Sequence, residues 1–187
     1  MKKFNKIFVC GISRTGTKSL GDFLEKFDLK VVHNGGRVFN PMQLEHIDVL
    51  VDDKQTQFLY EVLNQTHPNS LFIYTNRNTK SWVDKIISWK PNSSYIYHQS
   101  FGIEGGIKPD TKEMLTSFKE QHFSRFKLFA TELPNDRVLY LDLEDNDKDF
   151  HDATTSRILD HRITSIDSEL LIPPSKRKNE RGTPEIQ

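Results

Sequence analysis

Apolar positions along the chain switch repeatedly between the spacing of a strand and that of a helix. "KIFVCG" (6–11) is a short run of strand-forming residues ending in Gly, and Leu20, Phe23, Leu24 and Phe27 then recur at helical spacing. "LKVVH" (29–33) and "IDVLVD" (47–52) predict two further strands, separated by a Gly-rich turn and a short irregular stretch, and Phe58, Leu59, Val62 and Leu63 predict a second helix. "SLFIYT" (70–75), introduced by the breaker "HPN", predicts another strand, followed by a helix with Trp82, Val83, Ile86 and Ile87 on one side. Residues 89–110 combine Gly, Pro and Asn punctuation with Tyr95, Tyr97, His98 and Phe101, and read as a surface loop able to close over a substrate. Over 111–133, Leu115, Phe118, His122, Phe126, Phe129 and Leu133 mark the longest amphipathic helix, on whose stripe His122 reads as a satisfied core-edge histidine. "RVLYLDLED" (137–145) is the last predicted strand.

Strands that are nearly all apolar and alternate with helices imply a parallel sheet covered on both faces. The expected fold class is therefore α/β, a three-layer α/β/α domain with a central parallel sheet. The domain is expected over residues 1–172, with a basic, polar, Pro-containing tail at 173–187. No internal repeat is visible.

Composition narrows the functional classes. At 187 residues, with 35% hydrophobic and 28% charged residues, the chain can bury the core of one ordinary domain. Its formal net charge is zero, so no general attraction to nucleic acid or an anionic membrane is expected, and any basic site must be local. Cys10 is the only cysteine, which excludes an intramolecular disulfide, and its place in an apolar run predicts a buried, inert thiol. No apolar stretch has the length of a membrane span, and "MKKFNKIFVCGIS" has too short a hydrophobic region for a secretory signal, so the expected location is cytoplasmic.

The local chemistry begins at "VCGISRTGTKSL" (9–20). A Gly-rich turn between a strand and a helix aims several backbone N–H groups and the positive helix end at one point, which favours a phosphate-like anion. Gly11 and Gly16 have the spacing of a phosphate-binding P-loop, which makes the expected fold P-loop nucleoside triphosphate hydrolase-like, but Thr17 stands where that loop carries Lys. Ser13, Thr15, Thr17 and Ser19 add hydroxyls, and Arg14 and Lys18 add charge.

In these residues the chain resembles the sulfotransferases. The core of their 5′-phosphosulfate loop is commonly a basic residue, a small residue and then Gly-Thr, places held here by Arg14, Thr15, Gly16 and Thr17. "HPNSLFIYTNRNTKSWVDKI" (67–86) is similar to the family's strand ending in Arg and its following helix, "HIDVLVDD" (46–53) to a strand ending in Asp at Asp52, and "RVLYLDLEDND" (137–147) to a strand followed by Glu144 and Asp145. The resemblance implies a donor, 3′-phosphoadenosine 5′-phosphosulfate (PAPS), and a product, 3′,5′-bisphosphoadenosine (PAP). It implies that Ser13, Arg14, Thr15, Gly16, Thr17, Lys18 and Ser19 hold the phosphosulfate without a Walker Lys or a metal, and that Arg77 binds the 3′ phosphate. The family's usual second 3′-phosphate ligand, a Ser eight positions later, is Lys85 here, so Lys85, Ser81 or Ser88 takes that place. Arg14 matches the family's catalytic Lys by position. Lys178 and Arg181 of the tail loosely match the basic segment with which many members cover that phosphate.

For the acceptor's base there are two candidates. His33 ends a strand before "NGG", and Asp52 ends the next one, where it could instead orient Arg14 or Lys18. The expected acceptor is a hydroxyl or amine of a small molecule or glycan, and a homodimer is compatible with the aromatic loop. Two other readings stay open. One is a P-loop kinase using ATP and Mg²⁺, for which Lys18 and a Walker B Asp142 would be needed, and the other is a non-catalytic nucleotide-binding protein.

Overall fold

Alternation along each strand assigns the two faces of the sheet. The computed structural model describes residues 4–33, 44–88 and 110–142. These contain strands β1 (Lys6–Val9), β2 (Val31–His33), β3 (Val49–Val51), β4 (Ser70–Asn76) and β5 (Val138–Asp142), all parallel, in the order β2-β3-β1-β4-β5. Successive side chains on a strand point to opposite faces, so Ile7, Val9, Val49, Val51, Leu71, Ile73, Leu139 and Leu141 share one face. There they pack on Leu20, Phe23 and Leu24 of helix α1 (Thr17–Leu24). Phe8, Cys10, Leu50, Phe72 and Tyr74 point the other way, toward later helices. The sheet is buried on both sides, which is why its strands read as unbroken apolar runs.

The second face is covered by α3 (Tyr60–Thr66), through Tyr60 and Leu63, and by α5 (Thr111–Ala130), through Phe126 and Phe129. Between β4 and α5 lies α4 (Thr79–Ser88), whose Trp82, Val83 and Ile86 pack with Ile12 and Leu115. Each fully buried side chain of this size contributes about 2 kcal/mol of hydrophobic stabilisation. This is the expected three-layer α/β/α arrangement around a parallel sheet. The Cys10 thiol is fully buried as expected, and burial pushes its pKa well up.

One predicted helix is two. Instead of a single helix presenting Phe58, Leu59, Val62 and Leu63, α2 (Lys54–Phe58) and α3 meet at Leu59, and Leu59 and Val62 are about half exposed at 48% and 50%. The buried positions are Asp53, Thr56, Gln57, Tyr60 and Leu63, which have helical spacing themselves. The inward stripe begins with polar residues, so a count of apolar residues selects the wrong face. Asp53 starts α2 with a capping box, its side chain accepting from Gln55 N–H at 2.8 Å and its N–H donating to Thr56 Oγ1. The substrate loop expected at 89–110 falls outside the described residues except for Asp110, as do Glu144, Asp145 and the 173–187 tail.

Candidate active site

With β1 between β3 and β4, the chain leaves β1 toward one edge of the sheet and returns from β3 to β4 on the other side. Open parallel sheets form a crevice at such a switch point, beyond the carboxyl ends of the strands. The ends meeting here are the 10–16 segment after β1, Asp52 after β3 and Arg77 after β4.

The segment after β1 is folded tightly against β4. A Cβ on Gly11 would lie 1.9 Å from Thr75 Oγ1 and 2.5 Å from the Thr75 carbonyl oxygen, so only glycine passes beneath the end of that strand. Thr15 is buried and secures the turn from inside: its hydroxyl donates to the Ile12 carbonyl at 2.6 Å and shares a 2.8 Å bond with Thr75 Oγ1, and its N–H also points to Ile12 O. Arg14 and Gly16 have φ of 73° and 94°, in the left-handed region. For the non-glycine Arg14 this conformation costs on the order of 1 kcal/mol, a strain often found where a backbone must face a ligand. Gly16 is the N-cap of α1, whose first turn contains buried Thr17 and half-buried Ser19. Lys18 is exposed and turned along the helix to Asp22, 3.1 Å away.

Asp52 is the centre of a polar cluster. Its Oδ1 accepts from Ser13 Oγ at 2.5 Å and from Gln57 Nε2 at 2.6 Å, while Oδ2 lies 3.5 Å from His33 Nε2. Gln57 Nε2 also reaches Ser13 Oγ at 3.3 Å. Asp52 itself has a left-handed φ of 54°. Burial raises its carboxyl pKa above the usual range, against the opposing effects of the Ser13 hydrogen bond, the His33 and Arg14 charges and the Gln57 hydrogen bond. The two base candidates are thus partners rather than rivals, and Arg14 is close enough to act on the carboxylate.

Beyond β4 several residues line an open cleft. Arg77, Ser81, Lys85 and Ser88 line a cleft of about 520 Å³ together with Lys80 and Asp84. Arg77 precedes α4, and Ser81, Lys85 and Ser88 follow on its i, i+4, i+7 face, so helix geometry puts all three candidate 3′-phosphate ligands on the face that lines the cleft with Arg77. Asn78 fixes the start of α4 by accepting from Ser81 N–H at 3.3 Å. The two halves of the crevice are joined by Trp82, whose indole N–H donates to the Ser13 carbonyl at 2.9 Å.

Two residues of this region, Gln57 and Lys119, were not foreseen. Gln57 bonds forward to Asp52, and its backbone carbonyl accepts at 2.6 Å from His122 Nε2, whose Nδ1 accepts from the Tyr74 hydroxyl at 2.9 Å. His122 is the satisfied core histidine its position predicts, and burial lowers its pKa to about 4. Lys119, on the same helix and only 4% exposed, reaches the end of β4. Only their burial, which the spacing of apolar residues does not reveal, marks Gln57 and Lys119.

No protein-family model and no curated protein matches the chain. Among solved structures it is similar to mouse sulfotransferase SULT7A1 complexed with PAP, at a TM-score of 0.55 and 12% sequence identity. The match covers 94% of this chain and 63% of that one. What the two share is the fold, a central parallel sheet flanked by helices of the P-loop nucleoside triphosphate hydrolase-like type.

Proposed function

We propose that this protein is a PAPS-dependent sulfotransferase, moving a sulfuryl group to a hydroxyl or amine of a small-molecule or glycan acceptor. The observation that carries the reading is that a glycine turn opening a helix and a cleft lined by cations lie together at the carboxyl ends of β1 and β4. The Gly11–Gly16 turn with Arg14 lies next to the Arg77 cleft, and Trp82 ties them together, while Lys18, which a kinase would need on its phosphates, is exposed and pairs with Asp22 along α1. A donor with phosphate-like groups at both the 5′ and 3′ positions fits this arrangement better than a linear triphosphate. That a protein of this fold is complexed with PAP supports the same donor.

On this reading the backbone N–H groups at the start of α1, with Ser13, Arg14, Thr17 and Ser19, receive the phosphosulfate. Thr15 shapes the turn, and Arg77 receives the 3′ phosphate with help from Lys85, Ser81 or Ser88. Sulfuryl transfer, like phosphoryl transfer, has a loose transition state, so catalysis is mainly positioning and charge stabilisation. Arg14 stabilises the negative charge that collects on the bisphosphate as the S–O bond to it breaks. As a guanidinium it does so without giving up a proton. Asp52 holds His33 through Nε2, leaving Nδ1 of the more exposed ring to take the acceptor's proton as the new O–S or N–S bond forms. The donor's sulfuryl group, the acceptor's proton and the bisphosphate leaving group account for every atom transferred.

We take residues 1–172 as one catalytic domain with 173–187 as a tail, and a cytoplasmic setting. Among the described residues no helix is long and apolar enough to cross a membrane. The reading is tested by ligand-induced stabilisation and by two variants. PAP without Mg²⁺ should raise the Tm by several degrees at about 100 times its Kd. Arg14→Ala should cut release of PAP from PAPS in the presence of a phenol and amine acceptor panel by about 10²-fold, and Lys18→Ala should leave it nearly unchanged. Stabilisation by ATP with Mg²⁺ but not by PAP, and dependence on Lys18, would identify a kinase instead.

A further inference from the structure

The inner stripe of α5 is apolar or aromatic at Leu115, Phe126 and Phe129, yet Lys119 lies on that stripe and is 4% exposed. Burying an ammonium group is costly unless its N–H groups find acceptors. Here Nζ donates to Asn76 Oδ1 at 3.0 Å and to Thr79 Oγ1 at 3.4 Å. Asn76 is the last residue of β4 and Thr79 the first of α4, so the two bonds span the ends of the turn formed by Arg77 and Asn78. An apolar side chain at 119 would fill the same space without connecting strand to helix.

We infer that Lys119 is a positioning residue for the adenosine 3′-phosphate site, bracing the β4–α4 turn so that Arg77 and a partner on the Ser81–Lys85–Ser88 face of α4 present to one phosphate; this rests on the donor reading above. The strand-to-helix angle at Arg77 sets where its guanidinium begins and how the α4 face is turned toward it. Two bonds from one rigidly packed helix fix that angle before the ligand arrives, and a pre-organised site loses less on binding. Lys119 also places a second cation beside residues that flank Arg77, which favours a phosphate dianion there and is of little consequence to a ligand that places none at this site. Its effect is therefore specific to the 3′ phosphate.

PAP and adenosine 5′-monophosphate differ only in that phosphate, so their affinities for the full chain separate this role from general support of the fold. Wild-type protein should bind PAP more tightly than the monophosphate. Lys119→Met should weaken PAP binding about tenfold through lost pre-organisation, while the monophosphate changes by less than about twofold. Lys119→Arg should recover part of the difference. Asn76→Ala, which removes one acceptor while leaving α5 intact, should give the same selective loss at smaller size and serves if Lys119→Met does not fold. Equal weakening of both ligands in these variants, or unchanged PAP affinity, overturns the positioning role while the wild-type preference for PAP still supports the donor reading. Absence of that preference in wild-type protein overturns both.

Discussion

At the carboxyl ends of β1 and β3, polar side chains are bonded to one another, whereas beyond β4 they face an open cleft. Ser13, Gln57 and His33 converge on one carboxylate in the first half, and the local backbone is strained at Arg14 and Asp52. In the second half Ser81, Lys85 and Ser88 stand on one unstrained helix face behind Arg77. The first half is therefore part of the fold as much as part of the site, and substitutions that change its shape or remove its hydrogen bonds should disturb stability and function together. The exposed positions of the second half should separate the two. On the proposed reading this division separates the reacting groups, held within the fold, from the remote phosphate, met by an open helix face.

The comparison breaks most readily at Gly11. Gly11→Ala places a methyl group against a backbone carbonyl that cannot move away, and should destabilise the protein by about 3 kcal/mol or more, read as the loss of the urea midpoint. Retained stability would show that the turn is looser than its contacts imply.

Next in size is a pH effect transmitted from the core. His122 has a pKa of about 4 when folded against an ordinary 6.5, so between those values the unfolded chain binds more protons and stability falls as the pH is lowered. The full interval corresponds to about 3 kcal/mol. Urea unfolding at pH 7 and pH 4.5 should show most of this loss, and His122→Gln should flatten the slope. An unchanged slope in the variant would place the titration elsewhere.

Asp52→Asn sharpens the contrast within the first half. Asn retains an oxygen acceptor for Ser13 and Gln57 and tolerates a left-handed φ, so stability should change by no more than about 1 kcal/mol. Sulfuryl transfer should nevertheless fall about 10²-fold, as expected when a general base loses its orienting partner. A proportional fall in stability would instead make the carboxylate a structural group.

The smallest effect belongs to the second half. Lys85 is exposed, so Lys85→Ala should weaken PAP binding only about threefold, with the Tm unchanged without ligand. A larger loss would make Lys85 the main partner of Arg77 in place of Ser81 or Ser88.

Which parts of this were readable from the sequence follows from the range of the interactions involved. The strands and their layers were legible because burial on both faces leaves runs such as "SLFIYT", and the anion-binding turn because Gly11 and Gly16 answer local demands. Ser81, Lys85 and Ser88 were named from the resemblance, and helical spacing then puts them on one face. The misread stretch was 53–63, where Thr56 and Gln57 face inward because they serve Asp53 and Asp52. No periodicity of apolar residues can report a buried polar face.

The sequence by itself determined the order of strands and helices, the fold class and the place of the turn after β1, because periodicity, glycine and capping act over a few residues. Tertiary structure alone decided that His33 and Asp52 are partners, that Gln57 links Asp52 to His122, and that Lys119 braces the end of β4. Each of the latter two joins residues more than 40 positions apart, brought together by the packing of α5 on the sheet. A hydrogen bond needs an approach within about 3.5 Å and the right direction, and pattern along a chain supplies neither.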